Sequence, residues 1–256
     1  MIGMSCTQFG IFDPENIMDK VSKNFELWEI FSEAENAVTK FSSRFNEIKG
    51  SYSMRYSIHA PICDINIASV NDKMREAAVD EMLRTMEHAN HMDVKTVTIH
   101  PGIYSMVLYD VKDRSVELSK RSLKAIEKGA KEYGVTAAIE NMPSFGIMMG
   151  QTPEELLDLI DGTDLMICFD IGHANTLGRI NECIDAFGER IVNIHIHDNI
   201  GKNDDHMTIG DGNIDFMKVL SRLKRYKGNY VIESRNMESA ITSKGRLEEM
   251  FRRIKS

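Results

Sequence analysis

Short apolar runs recur along the chain at intervals of about 25 to 40 residues, separated mostly by longer stretches with apolar residues at helical spacing. Eight of the runs read as strands: IGMSCTQF (2–9), FELWEI (25–30), YSIHAP (56–61), KTVTIHP (95–101), VTAAIEN (135–141), LMICFDI (165–171), IVNIHIH (191–197) and NYVIES (229–234). Several lack clean polar alternation, as expected of strands covered on both faces. The stretches between them read as helices. AVDEMLRTMEHA sets Met82, Met86 and Ala89 on one stripe, where methionine is core filler, and His88 and His91 on the same helix read as packing or surface residues. QTPEEL carries a helix start, with Thr152 as N-cap, Pro153 in the first turn and Glu155 closing a capping box. SVELSKRSLKAIEKGAKEYG stops at Gly134, just before a strand.

Strands alternating with helices, and no Pro/Gly/Ser-rich linker, predict an α/β fold: one (β/α)8 TIM-barrel domain over 1–256, a parallel eight-stranded barrel with outer helices. The competing architecture is a doubly wound open sheet. It calls for a Gly-rich phosphate turn after the first strand, and CTQFGIFDP is not one.

Charge and cysteine usage narrow the setting. A formal net charge of -8, from 31 basic and 39 acidic residues, argues against a surface dedicated to nucleic acid. Cys6, Cys63, Cys168 and Cys183 form no CxxC pair and no dense disulfide framework, so they read as reduced thiols. MIGMSCTQFG has no basic n-region, and no apolar run reaches the roughly 18 residues of a membrane span. The expectation is a cytoplasmic protein without a membrane partner.

The chemistry gathers at the strand ends. In a barrel of this kind the C-terminal ends of the strands form the active-site face. His59, His100, Glu140, Asp170 and Glu233 end strands three, four, five, six and eight; His195 and His197 end the seventh. His173 follows on the sixth loop, and Asp204 and His206 on the seventh. One strand-end histidine means little; six ligand-bearing strand ends aimed at one mouth call for a shared cation, because crowded carboxylates resist ionising together without one. Imidazole and carboxylate without thiolate suit Zn²⁺, Mn²⁺, Co²⁺ or Fe²⁺. Cys168, two residues before Asp170, reads as core. Asp204 and His206 at i, i+2 would share a side of an extended loop, before GDG (210–212) turns the chain into a helix starting near Ile214–Asp215.

Together HAP, HPG, EN, FDIGHA, HIHD, DxHxxxGxG and the last strand's Glu resemble the xylose isomerase-like TIM-barrel superfamily, which includes sugar phosphate isomerases/epimerases and endonuclease IV. The resemblance runs from HAPICDINIAS at 59 to VIESR at 235. It implies a divalent ion held by Glu140, Asp170, His195 and Glu233, with Glu140 and Glu233 catalytic. The family pattern on the seventh strand puts His195 rather than His197 in that set. His59, His100, His173, Asp204 and His206 resemble the further ligands of the endonuclease IV zinc cluster, which implies one to three ions, Zn²⁺ or Mn²⁺.

Two functions follow. The first is a metal-dependent isomerase or epimerase of a small sugar or sugar phosphate, working through a metal-stabilised enediolate. His173 and His197 would orient substrate oxygens, and Arg235 would meet a phosphate. The second is zinc-dependent hydrolysis of DNA phosphodiesters at abasic sites, with DNA as partner. That reading needs a basic, aromatic-bearing mouth, for which the loops offer only Tyr104, Tyr109, Lys112, Arg114, Arg179 and Lys202 among acids. ENMPSF and the short seventh loop favour the sugar enzyme; substrate identity and oligomeric state are left open.

Overall fold

The computed structural model of the chain describes residues 1–105 and 111–255. Its strands are β1 (Ile2–Ser5), β2 (Leu27–Phe31), β3 (Arg55–His59), β4 (Thr96–Ile99), β5 (Thr136–Glu140), β6 (Met166–Asp170), β7 (Ile191–Ile196) and β8 (Asn229–Glu233). All pair in parallel, in chain order, and β8 returns to β1 with Ile2 opposite Tyr230 and Ser5 opposite Glu233. This is the (β/α)8 barrel; an open sheet would leave β1 and β8 unpaired. Around it run α1 (Pro14–Val21), α2 (Val38–Ile48), α3 (Asp72–His91), α4 (Lys112–Tyr133), α5 (Pro153–Leu159), α6 (Ile171–Thr176), α7 (Ile180–Phe187), α8 (Phe216–Arg222) and α9 (Met237–Lys255). No helix among the described residues is long and apolar enough to cross a membrane.

Every run expected to be a strand overlaps one, and every strand is shorter than its run; β2 ends one residue beyond its run, at Phe31, and β3 begins one residue before, at Arg55. The runs overshoot where the chain leaves the ladder to build the mouth. The first gives way to a 3-10 turn at Thr7–Ile11, and His100 and His197 lie just past the last residues of β4 and β7. His173, expected on a loop, sits on the short helix α6 instead, because Asp170 accepts from its backbone N–H at 2.6 Å and caps that helix.

Successive strand side chains point to opposite faces. Trp28, Ile30, Ile58, Val97, Ile139, Phe169 and Ile194 are buried in the apolar cluster under the helices. Their neighbours Glu29, Ser57, His59, Thr98, Glu140, Asp170, Asn193 and His195 are equally buried. Hydrogen bonds from Asn193 on β7 to Glu29 on β2 and Thr98 on β4 across the barrel, with Ser57 of β3 donating to the same Glu29, mark these as the inner face. The interior is therefore polar near its upper end, while the outer face seals against helices. Met82, Met86 and Ala89 of α3 are buried, as their spacing predicts. Truncating either methionine to Ala would cost about 2–5 kcal/mol.

The local stop and start signals also hold. Thr152 Oγ1 accepts from Glu155 N at 3.2 Å as the N-cap, while Glu155 reaches back to Gln151 N at 3.0 Å, one residue before the cap nitrogen that the expected capping box would engage. Gly134 ends α4 at φ 64°, a left-handed conformation that favours glycine. His88 packs with its Nδ1 2.7 Å from Ser42 Oγ.

Candidate metal centre

Leaving aside Glu140, Cys168 and His195, whose thiol belongs to the core, the strand ends and the segments after them bring three donor groups together at the mouth, each with ligand atoms within 4.8 Å of one another. The first is His59, His100 and Glu140; the second is Glu140, Asp170, His195 and Glu233; the third is His173, His197, Asp204 and His206. Glu140 belongs to two of them. Its Oε2 lies 3.3 Å from His59 Nε2 and 3.0 Å from His100 Nε2, while its Oε1 lies 2.8 Å from His195 Nδ1. His195 Nδ1 is also 3.2 Å from Glu233 Oε1 and 3.9 Å from Asp170 Oδ2. In the third group Asp204 Oδ2 meets His206 Nε2 at 2.9 Å and His173 Nε2 at 3.3 Å, and its Oδ1 lies 3.2 Å from His197 Nε2.

In three of the histidines, the ring nitrogen turned away from these groups fixes the tautomer. A carbonyl oxygen can only accept, so His59 Nδ1–H donates to Ala60 O at 2.8 Å and His173 Nδ1–H donates to Asn141 O at 2.8 Å. Both then present the Nε2 lone pair inward. His195 is turned the other way: its Nε2–H donates to Glu29 Oε1 at 2.6 Å, leaving Nδ1 for the centre. Glu29 is in turn held by Ser57 Oγ and Asn193 Nδ2, each at 2.8 Å. Such outer partners orient metal-binding imidazoles and raise their basicity.

Converging lone pairs and carboxylates need a cation between them. Asp170 Oδ2, Asp204 Oδ1 and His197 Nε2 are buried without a hydrogen-bond partner, although each faces a donor group. Orphaned buried polar atoms are costly, and a divalent ion would satisfy these. Where no ion intervenes, protons serve. Burial alone would raise the Glu140 carboxyl, but His195, His100 and His59 outweigh it and hold it well below the usual range. Asp204 is likewise driven down, against burial, by His173 and His206. Burial alone would lower His197, yet Asp170 and Asp204 bring it up to about 9. Burial pushes His100 down, towards the neutral form a metal takes. Burial also raises the Cys168 thiol to about 12, in keeping with its core position beside Asn193. The residues present fit divalent ions.

The loop carrying the third group is organised by Asp198. Its carboxylate accepts from the backbone N–H of Asn199, Gly210 and Gly212 at 2.9 Å each and of Ile214 at 3.3 Å. A Cβ on Gly212 would lie 2.2 Å from Asp198 Oδ1, so the approach requires glycine. Gly172 serves His197 the same way, since a Cβ there would sit 2.0 Å from the ring. The loop is not extended at His206, which has φ 47°; a turn rather than strand-like alternation brings it to Asp204. Asp215 then caps α8, one residue from the expected start.

Of the residues named from sequence, the strand-end and loop ligands all reach the mouth. His197 was expected to orient substrate; it is fully buried, stacked on His206 at 4.1 Å, and sits within the third donor group. Arg235 is exposed and lines a small cavity of about 110 Å³ with Glu233, His206 and Cys6. Glu29 and Asp198 were given no role by sequence reasoning. The residues considered for a DNA grip are engaged elsewhere: Tyr104 OH donates to Glu155 at 2.5 Å, Lys112 lies over the Tyr104 ring, and Arg114 and Arg179 pair with Glu117 and Glu154. Lys202 is exposed, and Tyr109 lies outside the described residues.

A family model described as xylose isomerase-like TIM barrel matches residues 21–256. The chain belongs to this family. Among its relatives, an uncharacterised protein of Methanocaldococcus jannaschii is 35% identical over 93% of the chain and 86% of the relative. A probable endonuclease 4 of Thermoplasma volcanium is 26% identical over 83% of the chain and 78% of the relative. Among solved structures, a D-tagatose 3-epimerase-like protein superposes with TM-score 0.93 at 33% identity, over 99% of this chain and 98% of that one. The proteins this chain is similar to thus carry names from both sugar epimerisation and endonuclease chemistry.

Proposed function

We propose that this chain is a divalent-metal-dependent isomerase or epimerase of a small sugar or sugar phosphate. The observation that carries this reading is the placement of two carboxylates about one ligand nitrogen: Glu140 Oε1 at 2.8 Å and Glu233 Oε1 at 3.2 Å from His195 Nδ1. The Glu140 side chain is 1% exposed and that of Glu233 14%, so one stands behind the centre and the other at its opening. Bound Zn²⁺ or Mn²⁺ would supply the Lewis acid that polarises a substrate carbonyl. Glu233 takes the proton from the adjacent carbon, the electron pair of that C–H bond moving towards the carbonyl. With the surrounding histidines neutral, Glu140 enters the step protonated and gives that proton to the same carbon from the other side, which inverts it; Glu233 is left protonated, Glu140 ionised, and exchange with water resets the pair. Arg235, beside Glu233, meets a phosphate where the substrate carries one. The resemblance to a D-tagatose 3-epimerase-like protein supports the same assignment.

One observation favours a second reading. Three donor groups, two of them sharing Glu140, suit a multinuclear phosphodiester hydrolase, as the endonuclease-named relatives do. Against it, the exposed rim carries Glu35 and Asp64, and of the cations that would track a phosphate backbone Arg114 and Arg179 are in ion pairs and Lys112 lies over the Tyr104 ring. The test is to load the protein with Zn²⁺ or Mn²⁺ and assay ketohexoses and ketose phosphates beside an abasic duplex. Chelator-sensitive interconversion of sugar epimers with weak or no incision is expected. Efficient, chelator-sensitive incision without sugar turnover would overturn the proposal.

A further inference from the structure

A second cavity adjoins the centre. Between the loops that follow β3, β4 and β5 lies a space of about 370 Å³ whose wall includes His100, the ligand that turns Nε2 to Glu140 at 3.0 Å. The remaining wall is largely hydrocarbon, from Ile65, Ile103, Ile147, Met148 and the buried Met82, with Asn66 inside it and the exposed Asp64 as its one carboxylate. Its interior amide is already engaged. Asn66 Oδ1 accepts from Ala68 N at 2.9 Å and Ile103 N at 3.1 Å, and its Nδ2 donates to Ile103 O at 3.1 Å. The walls are stitched together by Tyr104 N to Ile147 O at 2.7 Å and Met149 N to Gly102 O at 3.3 Å, so the space is preformed.

A plain polyol does not match such a wall. Away from His100 and the exposed Asp64, a hydroxyl placed against this hydrocarbon would give up water without gaining a partner, whereas a hydrocarbon group would lose nothing. We propose that this cavity is an apolar subsite of the active centre, and that the substrate is a sugar derivative bearing an apolar substituent near its reacting carbons. The substrate half of this inference rests on the sugar reading above; the subsite half does not.

The test labels the methionine methyl groups with ¹³C and assigns Met82 and Met148 by Met82→Leu and Met148→Leu. Cyclohexanol and myo-inositol share a ring and differ in hydroxyls. Cyclohexanol is expected to move both methyl signals saturably and myo-inositol to move neither. Ile103→Asn should weaken cyclohexanol at least tenfold while the other methionine signals stay in place; Ile147→Asn serves if that variant does not fold. Equal responses to the two alcohols, or none, would overturn the subsite. In metal-loaded protein, calorimetry should show a 1-deoxy ketohexose, whose methyl group adjoins the carbonyl, binding about tenfold more tightly than its parent. Equal binding, or none, would overturn the assignment to the substrate. No arm uses turnover, so failure of sugar turnover would strike the proposed function and leave the subsite standing.

Discussion

His195 Nε2 lies 2.6 Å from Glu29 Oε1, with both side chains fully buried. The contact joins β2 to β7 across the barrel and aims the other nitrogen of His195 at Glu140 and Glu233. Glu29→Gln keeps the shape but removes the charge that holds this imidazole. Metal affinity should fall about 10–100-fold, measured by competition with a chromophoric chelator. Unchanged affinity would show that Glu29 serves packing alone.

Asp198→Ala removes the acceptor of four backbone N–H groups beneath the third donor group. Each orphaned donor that water cannot reach costs about 1–3 kcal/mol, so the loop from 199 to 214 should loosen before the barrel does. Hydrogen exchange at Gly210 and Gly212 should rise well ahead of exchange in β7. Uniform exchange behaviour would contradict this organising role.

Asp204→Ala with His206→Ala deletes half of the third donor group and leaves the other two intact. Bound metal should fall by about one ion per chain, read by elemental analysis, with far-ultraviolet circular dichroism unchanged. Unchanged stoichiometry in a folded variant would reduce the centre to the groups around Glu140, and the hydrolase reading would lose its main support.

Much of the architecture was legible because it is written in periodicity. Apolar runs at barrel spacing mark the strands, and ligand types at their ends mark the mouth. Glu29 escaped because FELWEI reads as an apolar run interrupted by an acid, and nothing local says that the acid's partners lie on β3 and β7. A carboxylate inside a strand covered on both faces was the available signal, since such a charge must be paired. For His197 the sequence named the site but not the neighbours. Its place in the third group depends on Gly172 leaving room for the ring, a contact between segments that strand parity cannot reveal. Asp198 needed the same kind of knowledge, because its partners at 210, 212 and 214 come together only when the loop closes.

The central claim is that Glu140 and Glu233 exchange a proton with a substrate carbon, and solvent isotope tests it most directly. Metal-loaded protein is incubated in D₂O with a panel of ketohexoses and their phosphates, and deuterium at the carbon beside the carbonyl is read by mass spectrometry and NMR. The account predicts incorporation that depends on metal and is lost in both Glu140→Gln and Glu233→Gln, each retaining the wild-type circular dichroism spectrum. Absence of incorporation across the panel, with incision of an abasic duplex by the same preparation, would contradict it.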